Sequence, residues 1–258
     1  ECTNLKSITL PSSLVSIGGS AFKNCAKLSA IVIPDNVSVL ENSTFYNCTG
    51  LKEVTLSKEL TTVGEQAFQN CTSLTAVELP DGVATIGRKA FSDCSVLANV
   101  TFPQSLTKIC DNAFNNCNKL NEVKFHDELV TIEENAFYGC KSLTEVTLPD
   151  SVMTVEDSAF SGCTALESAT IGNGVQKIPS GMFNNCTSLK EVTLPKEVMV
   201  VGEQAFQNCA ALTAIELPDG VMLIGEGAFS DCTSLTEINI PADVSIIEAS
   251  TFSGCTGL

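Results

Sequence analysis

Residues 71–94 read CTSLTAVELPDGVATIGRKAFSDC, a stretch that opens and closes on cysteine. Stepping outward from Cys71 and Cys94 by 23 residues meets Cys2, Cys25, Cys48, Cys117, Cys140, Cys163, Cys186, Cys209, Cys232 and Cys255. From Cys2 to Cys255 the chain runs 253 residues, or 11 periods of 23, with no insertion. An unbroken period of this length marks a solenoid, in which each repeat buries its apolar side against its neighbours.

Within each period the residue types keep their places. Leu stands three positions after Cys in all twelve copies, from Leu5 to Leu258. Val77 and Leu79 then alternate with Ala76 and Glu78, as Val54 and Leu56 do one period earlier. Such period-2 alternation predicts a short strand with one face inward. Stacked in successive coils, these strands predict a continuous parallel sheet at about 4.8 Å per step. Pro11, Pro34, Pro80, Pro103, Pro149, Pro195, Pro218 and Pro241 follow the strand. Proline removes a ladder donor and fixes φ, so the strand ends there and a turn begins.

The next apolar pair, Val83 with Ile86, brings the chain back across the other side of the coil. A corner follows that takes Gly64, Gly87, Gly202 or Gly225 in some periods and Glu41, Glu133 or Glu156 in others. That variation reads as a permissive corner, not a position that requires positive φ. Phe then occupies its column in all 11 periods, from Phe22 to Phe252. Phe91 and Cys94 are three apart, Ala90 and Cys94 four apart, so one helical turn would point all three inward. The residue before each Cys, from Cys25 on, is always Asn, Asp or Gly, the types that tolerate the left-handed conformation. An αL cap is therefore expected at Asn24, Asn47, Asn70, Asp93, Asn116, Gly139 and their equivalents.

These columns closely resemble the BspA-like leucine-rich repeats, also called the Treponema pallidum type. The family pattern L-x-x-I-x-L-P-x-x-L-x-x-I-G-x-x-A-F-x-x-C-x-x runs in phase here over essentially the whole chain. The resemblance implies an α/β leucine-rich-repeat solenoid, right-handed, with a concave parallel sheet, short helical turns on the other side and about 11 repeats. It also implies a cell-surface or secreted protein of mucosal bacteria or protist parasites, engaged in adhesion to host matrix proteins and other cells. No catalytic or binding residue carries over, because that function attaches to whole proteins and not to repeat columns.

Composition narrows the function classes. The chain has 258 residues, 44% hydrophobic and 17% charged, enough for a packed core in one elongated domain spanning 1–258. Its net charge of −16 opposes nucleic-acid binding, which needs a basic face. The same charge disfavours docking on anionic membranes. No apolar run approaches the roughly 20 residues of a membrane span, so no membrane insertion is expected in this segment. Both ends lie inside repeats and neither resembles a cap, which reads as a piece of a longer protein. A monomer is expected.

Cysteine is the first chemical suspect, and packing explains it best. No Cys-x-x-Cys pair occurs, and the sole histidine, His126, stands in the proline column. Zinc is therefore not expected, and no cofactor or metal site is assigned. Neighbouring coils lie within disulfide reach, yet bridging would pull thiols out of the core, so free buried thiols are expected. Cys110 alone sits in the corner column, between Ile109 and Asp111. With no triad geometry legible around it, no catalytic residue is assigned and the protein is not read as an enzyme.

The surface candidates lie in the strand. Glu53, Thr55, Glu78, Glu145, Thr147, Glu191, Thr193 and Glu216 occupy its outward positions and form the expected concave-face binding set. Asp35, Asp81, Asp127, Asp150 and Asp219 add an acidic rim beyond the prolines, which a basic protein patch or weakly held Ca²⁺ would meet. The leading expectation is non-enzymatic binding of a host extracellular-matrix or cell-surface protein. The alternative is a spacer that presents another domain. One higher-order feature stands out. Lys52–Cys94 and Lys190–Cys232 are near copies offset by 138 residues, so a six-repeat block is duplicated.

Overall fold

In the computed structural model, which describes residues 2–258, each period makes one coil, and most coils pass through two short strands. The 18 strands among the described residues fall into two ladders of nine. The first ladder contains Ala30–Val32, Glu53–Thr55, Ala76–Glu78 and Asn99–Thr101, resuming at Glu145–Thr147. The second contains Val39–Leu40, Thr62–Val63, Thr85–Ile86 and Lys108–Ile109, and continues to Leu223–Ile224. Every pairing is parallel and joins residues 23 apart, such as Ala30 with Glu53 and Thr62 with Thr85. A slip of one residue would turn Val54 and Val77 outward, so burial holds the register.

Eleven sequence periods become about nine coils of paired strand, not 11 repeats. A terminal coil has a neighbour on one side only, and before Ala30 a single bridge, Ile17 to Leu40, is all that forms. The expected continuous sheet is also corrected. The first ladder is divided into four sheets of two or three strands, whereas six strands of the second ladder, from Val39–Leu40 to Thr154–Val155, join in one.

No helix forms among the described residues, so the chain is a parallel β-solenoid and not an α/β coil with helical turns. The reason lies in two left-handed residues per coil, four positions apart. Asn70 has φ 60° and Gln66 has φ 57°; Asp93 has 61° and Lys89 has 53°. The residue before Cys is left-handed in all 11 periods, as the Asn/Asp/Gly column predicts. The second column, through Ser43, Gln66, Lys89, Asn112 and Gln204, was hidden because it tolerates long side chains. An αL residue every fourth position cannot propagate a right-handed helix. The segment forms consecutive turns instead. Ala67, Gln69 and Cys71 donate N–H bonds three residues back, while Gln66, Phe68 and Asn70 donate to Arg88, Ala90 and Ser92 of the next coil. Alternate amides thus close the turn and stitch the stack, which satisfies the backbone without a helix.

The core is made of columns. Phe22 through Phe252 stack ring on ring, with centroids 5.4 Å apart for Phe22–Phe45, 5.1 Å for Phe68–Phe91 and 6.0 Å for Phe160–Phe183. Beside them run buried thiols, and all 13 cysteines are free. From Cys48 to Cys255 each thiol of the column donates to the carbonyl of a Phe in the preceding coil, for example Cys94 to Phe68 at 3.1 Å. Proline opens its turn as expected, the carbonyls of Pro34 and Pro80 accepting from Val37 and Val83 at 3.0 Å.

Candidate functional site

The outward residues of the first ladder line up in two rows because the register is a strict 23. Glu145, Ser168 and Glu191 are direct neighbours in one row; Thr147, Thr170 and Thr193 are neighbours in the other. Glu78 stands beside Thr101, and Thr55 beside Val32. All eight expected binding residues, Glu53, Thr55, Glu78, Glu145, Thr147, Glu191, Thr193 and Glu216, are exposed on this face. The structure does not gather them into one pocket. It spreads them along the stack.

A bond just past the strand is made to Thr55, Thr101, Thr170 and Thr193, from Ile33, Leu79, Leu148 and Ile171 at 2.8, 3.1, 2.9 and 3.0 Å. Among the described residues no such bond reaches Val32, Glu78, Lys124, Glu216 or Asn239, nor Thr147 opposite Phe125. A β-branched residue favours the extended backbone that this bond needs, and Glu, Lys and Asn favour it less; Val32 and Thr147 are β-branched and lack the bond, so the residue type alone does not decide it. At Glu78, Lys124 and Glu216 the missing bond coincides with a break in the first ladder, whereas before Asn239 the strands Ala214–Ile215 and Glu237–Ile238 still pair.

The widest interruption lies at residues 122–126, where no strand forms. Three neighbouring departures from the repeat coincide there: Lys124 in the Thr row, Phe125 in place of Leu and His126 in place of Pro. Phe102 and Phe125 stack at 5.6 Å and each meets the main Phe ladder edge-on, at Phe114 and Phe137. Two phenyl rings thus occupy an inward column built for Leu, and the first-ladder segments of these two coils do not pair although their second-ladder strands do. The Asn121 N–H to Ala98 carbonyl contact is stretched to 3.5 Å, against 2.9 Å for Ala98 to Thr75 one coil earlier. His126 Nε2 donates to the Phe102 carbonyl at 3.1 Å, and Lys124 pairs with Glu122 at 2.9 Å. Clefts of about 320 and 570 Å³ open on either side of this coil, both lined by Glu122, Lys124 and His126. The second reaches Glu145 and Thr147 of the expected set.

The cysteines offer no reactive centre. Burial raises Cys94 and Cys163 to about 12 and holds Cys71 and Cys117 well above the ordinary value of 9.0. Cys110 is half-buried, and desolvation, reinforced by the Glu133 carboxylate, raises it to about 11. A thiol so far from its thiolate is a poor nucleophile. Glu133 is instead held low, its burial outweighed by the bonds from Lys108 and the Asp111 amide. Among the described residues no group of three His, Cys, Asp or Glu side chains is arranged to hold a metal ion, and no helix is long and apolar enough to cross a membrane.

With this geometry in view, comparison with known proteins becomes specific. The BspA type leucine rich repeat region matches residues 1–98, 85–212 and 176–258, in six copies. It describes a repeat region and not an enzyme. The T. pallidum leucine-rich repeat protein is similar at 33% identity and a TM-score of 0.60, over 71% of this chain and 77% of that one. A leucine-rich repeat protein from Bacteroides ovatus ATCC 8483 shares 27% identity with a TM-score of 0.52, over 95% and 81%. A leucine-rich cell surface protein from Faecalibacterium prausnitzii A2-165 shares 26% with a TM-score of 0.51, over 99% and 86%. No curated protein sequence matches significantly. A family model that spans the chain from end to end, on a structure whose coils carry its Leu, Phe and Cys columns inward, leaves one assignment: the chain belongs to the BspA-type leucine-rich-repeat family.

Proposed function

We propose that this chain is a non-enzymatic protein-binding domain of a cell-surface or secreted adhesion protein, and that it engages a host extracellular-matrix or cell-surface protein through the first-ladder face. The observation that carries this reading is the opened coil at residues 122–126. It places two clefts in the middle of a face lined by exposed Glu and Thr rows. An acidic face steers a basic partner; clefts give side chains somewhere to lodge. The cell-surface relative from Faecalibacterium supports the location.

The test is binding of immobilised matrix proteins to the purified domain. Reversing Glu53, Glu145 and Glu191 to Lys abolishes saturable binding on this reading. Reversing Glu65, Glu134 and Glu156, at the turn between the second ladder and the Phe column, leaves it intact. The opposite result moves the site to the other face. Absence of any saturable binding makes the domain a spacer.

A further inference from the structure

The duplicated block provides an internal control, because two nearly identical surfaces can be compared within one fold. Lys52–Cys94 and Lys190–Cys232 share most of their core residues, including Val63/Val201, Ile86/Ile224 and Phe68/Phe206, all fully buried, and change others only between aliphatic types, as Leu60/Val198 and Val77/Ile215. Their differences concentrate on the outer side of the second ladder. Thr61, Thr62, Ala84 and Thr85 in the first copy correspond to Met199, Val200, Met222 and Leu223 in the second. Met222 is 53% exposed and Leu223 is 43% exposed, so these are not core substitutions. Exposed Ile246, one coil after Leu223, extends the patch on one side, and Gln176 and Lys177 end it on the other.

Charge changes with it. In the first copy Arg88 bridges Glu65 at 3.5 Å and Asp111 at 2.9 Å, with Lys89 beside it. The equivalent positions in the second copy are Glu203, Glu226, Gly227 and Ala249, and Cys110 is replaced by Glu248. Both cations are gone and three exposed carboxylates stand where the first copy was balanced. No ion pair involves any of the three among the described residues. Glu203, Glu226 and Glu248 line one edge of a shallow cleft of about 310 Å³ together with Val200 and Leu223, and Lys177 closes its far end.

The structure assigns this second-copy face to an interaction of its own: an apolar ridge flanked by basic side chains on a protein partner docks on Met199, Val200, Met222 and Leu223 within the rim of Glu203, Glu226 and Glu248. Solvent-exposed Met and Leu between acidic groups fit such a segment, since Met adapts to irregular apolar surfaces and the rim rejects acidic ones. A second copy of this chain fits poorly, because a self-complementary contact would bring the carboxylates of both molecules together. The surface is distinct from the first-ladder face and stands or falls without it.

The probe is a synthetic helical peptide of Leu and Lys, with its Leu/Glu counterpart and a scrambled Leu/Lys sequence as controls. The decisive variant transplants the first copy onto the second, M199T/V200T/M222A/L223T, a set already compatible with this fold because residues 52–94 fold with it. Wild type binds the Leu/Lys peptide saturably, and the transplant, with unchanged charge, weakens it at least about tenfold. E226R weakens it too, more at low salt than at high salt. Equal binding by wild type and transplant, or equal binding of the Leu/Glu or scrambled peptide, overturns the assignment. So does a concentration-dependent dimer in sedimentation that the transplant dissolves, which would make a second copy the occupant.

Discussion

The thiol of Cys71 donates to the carbonyl oxygen of Phe45 in the preceding coil at 3.3 Å, and the same oxygen accepts the N–H of Cys48 at 3.1 Å. One sulfur thus fills core volume and ties two coils together. The geometry recurs from Cys48, which reaches Phe22 at 3.0 Å, to Cys255, which reaches Phe229 at 3.0 Å. Few other side chains offer that combination, since Ala lacks the donor and Leu is too large for a fully buried position beside the stacked rings. Cys117→Ala, which loses both the bond and the volume, is expected to cost about 1–3 kcal/mol. Cys2→Ala, at an exposed position, costs nothing measurable. Urea unfolding of the two variants checks this.

Those thiols also set a pH limit. Desolvation raises Cys94 and Cys163 from 9.0 to about 12, so the folded chain holds their protons more tightly than the unfolded chain does. The stabilisation is therefore fully present below pH 9 and drains away as pH rises toward 12. With many such thiols in one stack, Tm is expected to fall steeply between pH 9 and 11 while staying flat from pH 7 to 8.5. A thiol-specific reagent at pH 8 labels Cys2 fast, Cys110 slowly and the interior thiols only after unfolding. Rapid labelling of more than two or three thiols in the native protein would contradict the buried ladder.

Backbone handedness yields a second stability test. Gln66 sits at φ 57° and Lys89 at φ 53°, conformations that burden a side chain by about 1–2 kcal/mol. Gln66→Gly relieves that strain and is expected to raise stability by roughly 0.5 kcal/mol after the added entropy of the unfolded chain. The equivalent of Lys89 in the duplicated block is already Gly227, at φ 61°. Gln66→Val is expected to lower stability by more than 1 kcal/mol, since a β-branched residue tolerates positive φ worst. Paired thermal melts of the Gly and Val variants decide it.

The Thr row predicts where the first ladder can be mended or broken. Glu216→Thr is expected to close the missing bond from the Leu194 amide and slow its hydrogen exchange by about tenfold. Thr170→Glu is expected to have the reverse effect on the Leu148 amide, which now bonds Thr170 at 2.9 Å. Amide exchange at Leu148 and Leu194, compared with an untouched amide in the second ladder, separates this local effect from global stability.

Much of this architecture follows from composition in columns. A residue type recurring every 23 positions must occupy the same place in each coil, so Leu, Phe and Cys announce an inward column before any geometry is known. The Asn/Asp/Gly column announces its handedness in the same way, because few residues other than those adopt positive φ cheaply. Ser43, Gln66 and Lys89 carry no such mark. Their conformation is imposed by inter-coil hydrogen bonds, and an expected helical turn became a row of β-turns for that reason. The eight expected Glu and Thr positions were legible as outward residues, since alternation alone assigns faces. Their relation to the opened coil was not, because it depends on how Phe102 and Phe125 pack against Phe114 and Phe137.

By itself the sequence determined the period, the inward columns, the family and the face on which each strand residue lies, all consequences of local chemistry repeated in phase. Only the tertiary structure decided which neighbouring coils bond, where the first ladder opens and where acidic groups lose their partners. Those outcomes arise from contacts between residues 23 or more apart, whose strength rests on side-chain volume and spacing that periodicity does not encode.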